Sequence, residues 1–256
     1  PAILAGRVHS ISCTGANLEE DIFLLIAGDE YENVQSWRSQ SAMDDLDLNL
    51  RGMNRVTDVC IPEDAAIRRV ESMLLEIWKE EPRLPHEHLY ALLDRIELGP
   101  RSENSWLLAA KKMNIPILVP GWEDSTLGNL FAAACVRGDL TPNMVRSGVN
   151  YMIDFADWYK SQTEPVGFLQ IGGGIAGDFP ICVVPMLNQD LGEQVSLWSW
   201  YGQISESSTS YGGYSGAPPN EKISWGKIGI DTPRFVIESD ATIVLPLILT
   251  CLLESY

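Results

Sequence analysis

Val166-Gly167-Phe168-Leu169-Gln170-Ile171-Gly172-Gly173-Gly174-Ile175-Ala176-Gly177 is a short, mostly apolar run that breaks into three consecutive glycines. A run of this length, bounded by glycine, reads as a buried strand. Gly172 to Gly177 fits the spacing G-x-G-x-x-G between a strand and a helix. Glycines there let the backbone approach a pyrophosphate, and a helix N-terminus favours the anion. A tight strand-to-helix turn uses the same glycines for steric reasons alone. No acidic residue follows at the spacing usual for a ribose contact, since Asp190 comes early and Glu193 falls in a loop. On the residues alone, both readings of the turn stand.

Working outward, strands and helices alternate. Val8–Cys13 predicts a strand, Thr14–Asn17 its turn, and Leu18–Ala27 a helix with Glu19, Glu20 and Asp21 in the first turn, where the helix dipole favours acids. Residues 28–60 are polar and weakly periodic and read as a long loop with one helical turn. Ala65–Glu80, Ser105–Met113, Leu127–Arg137, Pro142–Gln162 and Pro180–Gln189 predict helices. Ile115–Val119, Val195–Ser205 and Arg234–Glu238 predict strands, and 206–226 a Ser/Gly/Tyr-rich loop. This alternation implies an α/β fold, a Rossmann-like parallel sheet with helices on both faces. With no repeat and no interdomain linker in sight, residues 1–256 read as a single domain.

Composition narrows the partners. The 256 residues carry a net charge of −17, which repels nucleic acid and anionic membrane surfaces and suits a polycationic ligand. The 45% hydrophobic content supplies a sizeable core. Five widely spaced cysteines, with no Cys-x-x-Cys pair and four of them among apolar residues, read as buried thiols in a reducing cytoplasm. His86-Glu87-His88 lacks a third or fourth ligand and reads as a solvated loop end after Pro85 rather than a metal site. No signal peptide is visible. The longest apolar run, Ala241–Leu253, is too short to span a bilayer, contains Pro246, and reads as a buried helix.

One segment carries candidate chemistry, Ser215-Gly216-Ala217-Pro218-Pro219-Asn220-Glu221-Lys222-Ile223-Ser224-Trp225-Gly226-Lys227. Lys227 follows Trp225 by two residues and Glu221 by six. An aromatic wall removes water from an ammonium, and a neutral lysine attacks imine or carbonyl carbons. The plain alternative is a loop packed on the surface. Lys222, in the same segment, is expected to be solvated.

This segment resembles the active-site segment of the deoxyhypusine synthase family, which includes homospermidine synthases. Further blocks fit in the same order: Thr14-Gly15-Ala16-Asn17-Leu18-Glu19-Glu20-Asp21, Pro120-Gly121-Trp122-Glu123-Asp124-Ser125-Thr126-Leu127-Gly128-Asn129, Gly172-Gly173-Gly174 and Ser239-Asp240-Ala241. The resemblance runs from about Gly6 to Leu253 and points to the bacterial, deoxyhypusine synthase-like branch. Family members carry a longer N-terminal region than precedes the first block here.

The resemblance implies NAD as cofactor, with Thr14, Gly15, Glu19, Glu20, Asp124, Gly173, Gly174, Asp240 and Ala241 around it. Plain alternatives are helix N-terminal charge placement for Glu19 and Glu20 and an N-cap for Asp124. It implies aminobutyl transfer from a spermidine-like polyamine through an imine on Lys227, with Trp225 stacking on the substrate and Glu221 pairing with an ammonium. The acceptor is a protein lysine or a free diamine, and the assembly is a homotetramer. A non-catalytic homologue that binds NAD or a polyamine is the alternative from another class. Three substrate-side positions depart from the pattern. Asn129 and Tyr214 stand where spermidine enzymes place aspartates, and Asp178 where they place a histidine. These changes predict altered amine specificity. Tyr211, Tyr214 and Trp122 could wall an amine or belong to core or interface.

Overall fold

The structure is a computed structural model that describes residues 1–146 and 148–254. In chain order the elements are β1 (Ile11–Ser12), α1 (Gly15–Ala27), β2 (Glu32–Asn33), α2 (Ala42–Leu50), β3 (Met53–Val56), β4 (Val59–Pro62), α3 (Arg69–Ile77), α4 (Pro85–Leu93), α5 (Trp106–Met113), β5 (Ile117–Leu118), α6 (Thr126–Arg137), α7 (Gly148–Lys160), β6 (Phe168–Ile171), α8 (Ile175–Ile181), α9 (Val183–Pro185), β7 (Tyr201–Ile204), α10 (Glu221–Ser224), β8 (Arg234–Ile237) and α11 (Ala241–Glu254). The chain is the expected α/β protein, and its parallel strands alternate with helices in the Rossmann-like manner.

Two compact units form. The first gathers Pro1–Thr14, Met113–Gly121 and Ser147–Tyr256. It holds the parallel pair β1–β5 and the parallel sheet β6-β7-β8. The sheet is in simple register, with Gln170 beside Gln203 and Ile171, Ile204 and Ile237 in one row. The loops that follow its three strands therefore leave from one edge, where α/β sheets bind ligands. Under the sheet lies an aromatic chain. Tyr159 meets Trp198 at 4.9 Å, Trp198 meets Phe168 at 5.0 Å, and Phe168 stacks on Tyr201 at 6.1 Å. Trp198 also donates its indole N–H to the Ile181 carbonyl.

The second unit gathers Gly15–Lys112 and Trp122–Arg146. Leu18, Ile22, Phe23, Val70, Leu74, Ile77, Leu107 and Leu127 form its core, with Trp78 and Trp122 both edge-on to Phe131. Trp122 is thus a core residue. Residues 28–60, expected as a long loop, instead hold a capped helix and most of a three-stranded antiparallel sheet of order β2-β4-β3. Ser41 and Asp44 form a reciprocal capping box that starts α2. The β3–β4 turn is Thr57-Asp58, with Thr57 at φ +55°, so the hairpin lacks the Asn-Gly or Asp-Gly signal that marks such turns in sequence.

Four further expectations are corrected. His86 and His88 lie on α4, not at a solvated loop end, and both are buried. Pro85 occupies the first helical turn, where its missing N–H costs nothing, and Glu87 reaches back to accept from the Leu84 N–H. Burial pushes both imidazoles down to about 4. Of the cysteines only Cys13 and Cys60 are buried; Cys135 and Cys182 are half-buried and Cys251 is exposed. Helix α11 has no buried residue, with Ile243 and Leu247 more than 60% exposed. Its apolar residues run all round the helix, so no single stripe can hide them. The segment expected as one helix over Pro180–Gln189 is three short pieces, because Pro180 and Pro185 each remove a helical donor. Among the described residues no helix is long and apolar enough to cross a membrane.

Candidate active site

Two buried glutamines set the geometry at the ends of β6 and β7. Gln170 and Gln203 both donate to the Gly172 carbonyl, at 3.0 and 2.9 Å, and Gln203 also donates to the Ser215 carbonyl at 2.8 Å. Ser215 Oγ in turn accepts from the Gly174 N–H at 3.1 Å. The glycine turn and the Ser/Gly/Tyr-rich loop are therefore laced together. Gly172 and Gly174 have φ of +75° and +71°, a conformation only glycine adopts cheaply. Nothing lies within 4 Å of where a Cβ would stand at either, so the turn presents open backbone.

The glutamine oxygens fix two tyrosines. Tyr214 donates to Gln170 Oε1 at 2.8 Å, and Tyr201 donates to Gln203 Oε1 at 3.0 Å. Burial pushes both phenols well above their ordinary range, so they remain donors and offer their ring faces to neighbours. Against those faces stand two lysines. Lys227 is buried, with Nζ 3.0 Å from Asp178 Oδ1 and 5.6 and 5.8 Å from the rings of Tyr214 and Trp225. Asp178 is half-exposed on α8 and also lies 3.8 Å from Cys182 Sγ. Gly226, at φ +68°, turns the chain from Trp225 into Lys227; a Cβ there would sit 2.4 Å from Gln189 Nε2, which donates to the Trp225 carbonyl.

Lys222 is the main surprise. Expected in solvent, it is 3% exposed, with Nζ 4.5 Å from the Tyr201 ring centroid and 5.0 Å from that of Tyr214. The four-residue helix α10 explains this: Glu221 and Ser224 face out while Lys222 turns in under the loop. Burial, and then the neighbouring Lys227 cation, push its amine down to about 8.

The structure thus brings Lys227, Asp178, Tyr214 and Trp225 together in the first unit. Glu221 and Tyr211 are exposed there. Gly173 lies in the glycine turn, where a Cβ would collide with Ser215. Asp240 is exposed after β8, accepts from the Thr242 N–H and hydroxyl at 2.8 Å each, and so starts α11, with Ala241 the helix's first residue. Thr14 sits half-buried at the end of the β1 loop.

Gly15, Glu19, Glu20, Asp124 and Asn129 belong to the second unit. Helix α1 begins at Gly15, so its acids fall beyond the first turn. Glu19 is buried and accepts from the backbone N–H groups of Thr126 and Leu127 at 3.0 and 2.7 Å. It satisfies the first turn of α6 in the way a capping carboxylate does. Burial raises Glu19, and these two N–H bonds oppose the rise. Asp21 serves α5 likewise, accepting from Ser105 and the Leu107 N–H. The N-cap of α6 is Ser125, not Asp124, which is exposed along with Asn129. Among the described residues no three His, Cys, Asp or Glu side chains cluster as metal ligands.

Sequence reasoning missed Lys222, Tyr201, Gln170, Gln203 and Ser215. One signal was available. Gln170 and the pair Tyr201-x-Gln203 place polar groups on buried strands, and buried polar groups imply partners.

Comparison with known proteins adds a family. The family model described as deoxyhypusine synthase matches residues 2–252. A deoxyhypusine synthase-like protein of Cyanothece sp. is 28% identical, over 97% of this chain and 64% of its own length. A probable deoxyhypusine synthase of Aeropyrum pernix is 28% identical, over 97% of this chain and 76% of its own. Probable deoxyhypusine synthase 2 of Methanosarcina acetivorans is 27% identical, over 97% and 70%. The chain spans under two thirds of the cyanobacterial relatives from Cyanothece and Thermosynechococcus vestitus, 64% and 63%.

Proposed function

The chain belongs to the deoxyhypusine synthase family, and from that premise we propose that it is an NAD-dependent aminobutyltransferase that carries its group on Lys227. The observation that supports this reading best is the buried Lys227 amine held 3.0 Å from Asp178 between the rings of Tyr214 and Trp225. That is a sheltered amine with a proton acceptor at hand, which nucleophilic lysine chemistry requires.

The residues fit NAD. The open backbone at Gly172 and Gly174 suits a pyrophosphate, and Asp240, leaving the same edge of the sheet, suits ribose hydroxyls. Within the same unit the family pattern adds Thr14, Gly173 and Ala241. Bound NAD would supply removal of a hydride from the donor carbon and its return at the end. The chain's own residues do the rest. Asp178 takes the proton from Lys227. The free amine attacks the imine carbon of the oxidised donor, and the former imine nitrogen takes up the proton and leaves with its own fragment as a free amine. Lys227 then holds the aminobutyl group as an imine until an acceptor amine displaces it. Trp225, two-thirds exposed, offers its face to the aliphatic chain and its ammonium, and Glu221 is free to pair with a second ammonium.

Transfer to a free diamine, as in homospermidine synthases, is the second reading. Tyr214 in place of an aspartate favours it, because it removes a carboxylate that would hold a longer polyamine. The bare apolar surface of α11 supports assembly as a homotetramer. Reduced thiols at Cys13 and Cys60, both buried, support a reducing cytoplasm.

The test is to incubate the protein with NAD and spermidine or putrescine, reduce with borohydride, and map peptides. A mass increment for the aminobutyl group on Lys227 is expected. NADH formation with no adduct on Lys227 would overturn the assignment.

A further inference from the structure

Lys222 has no part in the chemistry derived so far, yet it is one of the most thoroughly built features of the first unit. Its amine is enclosed by two rings, and both rings are fixed by hydroxyl bonds to buried glutamines that are themselves anchored on the Gly172 carbonyl. A pair of rigid aromatic faces about 5 Å from a nitrogen is an ammonium site, and here it is filled by the chain's own side chain. Lys222 makes no ion pair among the described residues, while Asp178 is committed to Lys227. Both amines share the Tyr214 ring, at 5.0 and 5.6 Å. The cluster therefore holds two lysines and one carboxylate, with Glu221 outside it on the exposed face of α10.

We propose that Lys222 is a specificity-determining residue, a resident ammonium that fills the Tyr201–Tyr214 aromatic pair so that the site accepts donor amines carrying one ammonium fewer than a triamine. The proposal rests on the amine-transfer reading above and deepens it by naming the donor class: diamines with a short aliphatic chain. A triamine would bring its additional charge toward an ammonium already in place, with no uncommitted carboxylate in the cluster to receive it. Like charges brought together without a partner repel, so discrimination of at least about tenfold follows. Tyr214 fits this division. Where spermidine enzymes of the family set a carboxylate, this chain sets a ring, and the ring faces an internal cation.

The test measures binding, not turnover. Dissociation constants for butylamine, putrescine and spermidine are taken by calorimetry at fixed ionic strength, with NAD present, for the parent and for Lys222→Met, Lys222→Ala and Lys222→Arg. The parent should bind spermidine no tighter than putrescine. Lys222→Met and Lys222→Ala should improve spermidine relative to putrescine by about tenfold or more, while Lys222→Arg, which keeps the charge, should leave the parent's ratio in place. Either apolar variant suffices if the other fails to fold. An unchanged ratio in the apolar variants, with putrescine still bound, would overturn the role of Lys222 alone. Failure of every amine to bind parent and variants would overturn it together with the amine-transfer reading.

Discussion

Replacing Lys222 by methionine should stabilise the protein at neutral pH and remove a distinctive part of its pH dependence. The side chain is 3% exposed, and its amine is pushed from the ordinary 10.5 down to about 8, first by burial and then by Lys227; Glu221 and Asp178 oppose the shift. A depression of this size corresponds to at most about 3.4 kcal/mol. The two ring contacts return about 0.5–1 kcal/mol each, and residual solvent screening reduces the remainder, so a net cost of about 1–2 kcal/mol is expected. The sign follows from proton counting. Below pH 8 both folded and unfolded chains carry the proton, and the folded chain bears the full cost. Between 8 and 10.5 the unfolded chain keeps the proton that the folded one has released, so stability rises with pH. Above 10.5 the amine is neutral in both and the cost is gone. Methionine fills the same volume and favours aromatic neighbours. Denaturant unfolding at pH 7, 8, 9 and 10 should show Lys222→Met more stable than the parent by about 1–2 kcal/mol at pH 7, with the gap closing toward pH 10. A variant less stable at pH 7, with a gap that stays constant to pH 10, would refute the view that this ammonium is buried at a cost.

Three further outcomes are expected. Asp178→Asn removes the carboxylate 3.0 Å from Lys227, so borohydride trapping on Lys227 should fall about tenfold or more while the far-ultraviolet spectrum stays native. Glu19→Gln weakens charge-assisted bonds to the Thr126 and Leu127 N–H groups and should lower stability by about 1–2 kcal/mol even without NAD; an unchanged melting temperature would mean that Glu19 does not hold α6. Asp240→Ala should weaken NAD about ten- to a hundredfold by losing a charge-assisted hydrogen bond; parent-like affinity in a fluorescence titration would move the ribose contact elsewhere.

Much of the fold was legible because its signals are local. The apolar run Phe168–Ile171 ending in glycines, the helices α1, α6 and α7, and the strand β8 follow from length, periodicity and turn residues. What stayed hidden depends on tertiary neighbours. The β3–β4 hairpin turns on Thr57-Asp58, whose strain is affordable only because the paired strands hold it. His86 and His88 look solvated beside Glu87, yet α4 buries both. A long apolar segment suggests core, but no residue of α11 is buried among the described residues. In the site, the neighbourhood of Lys227 and Trp225 is readable from the segment itself, and Asp178 stands out as a departure from the family pattern, whereas its ion pair with Lys227 depends on the fold. The inward turn of Lys222 was not readable, because a lysine in a polar loop carries no sign of the two rings that meet it.

On the proposed reading two scales of charge would act on an amine substrate, and they would select differently. The net charge of −17 attracts every polycation, but a surface field is largely screened beyond about 8 Å at physiological ionic strength and raises encounter rates for diamines and triamines alike. Selection must come from the few groups within contact distance, where screening is weak. There the count is one carboxylate against two ammoniums, with the rings of Tyr201 and Tyr214 beside them. On that reading an acidic protein gathers polyamines at its surface and still refuses the longer ones at the lysine cluster. Ionic strength separates the two scales: added salt should slow association of putrescine and spermidine together, while their ratio of affinities, set by Lys222 and its rings, should change little.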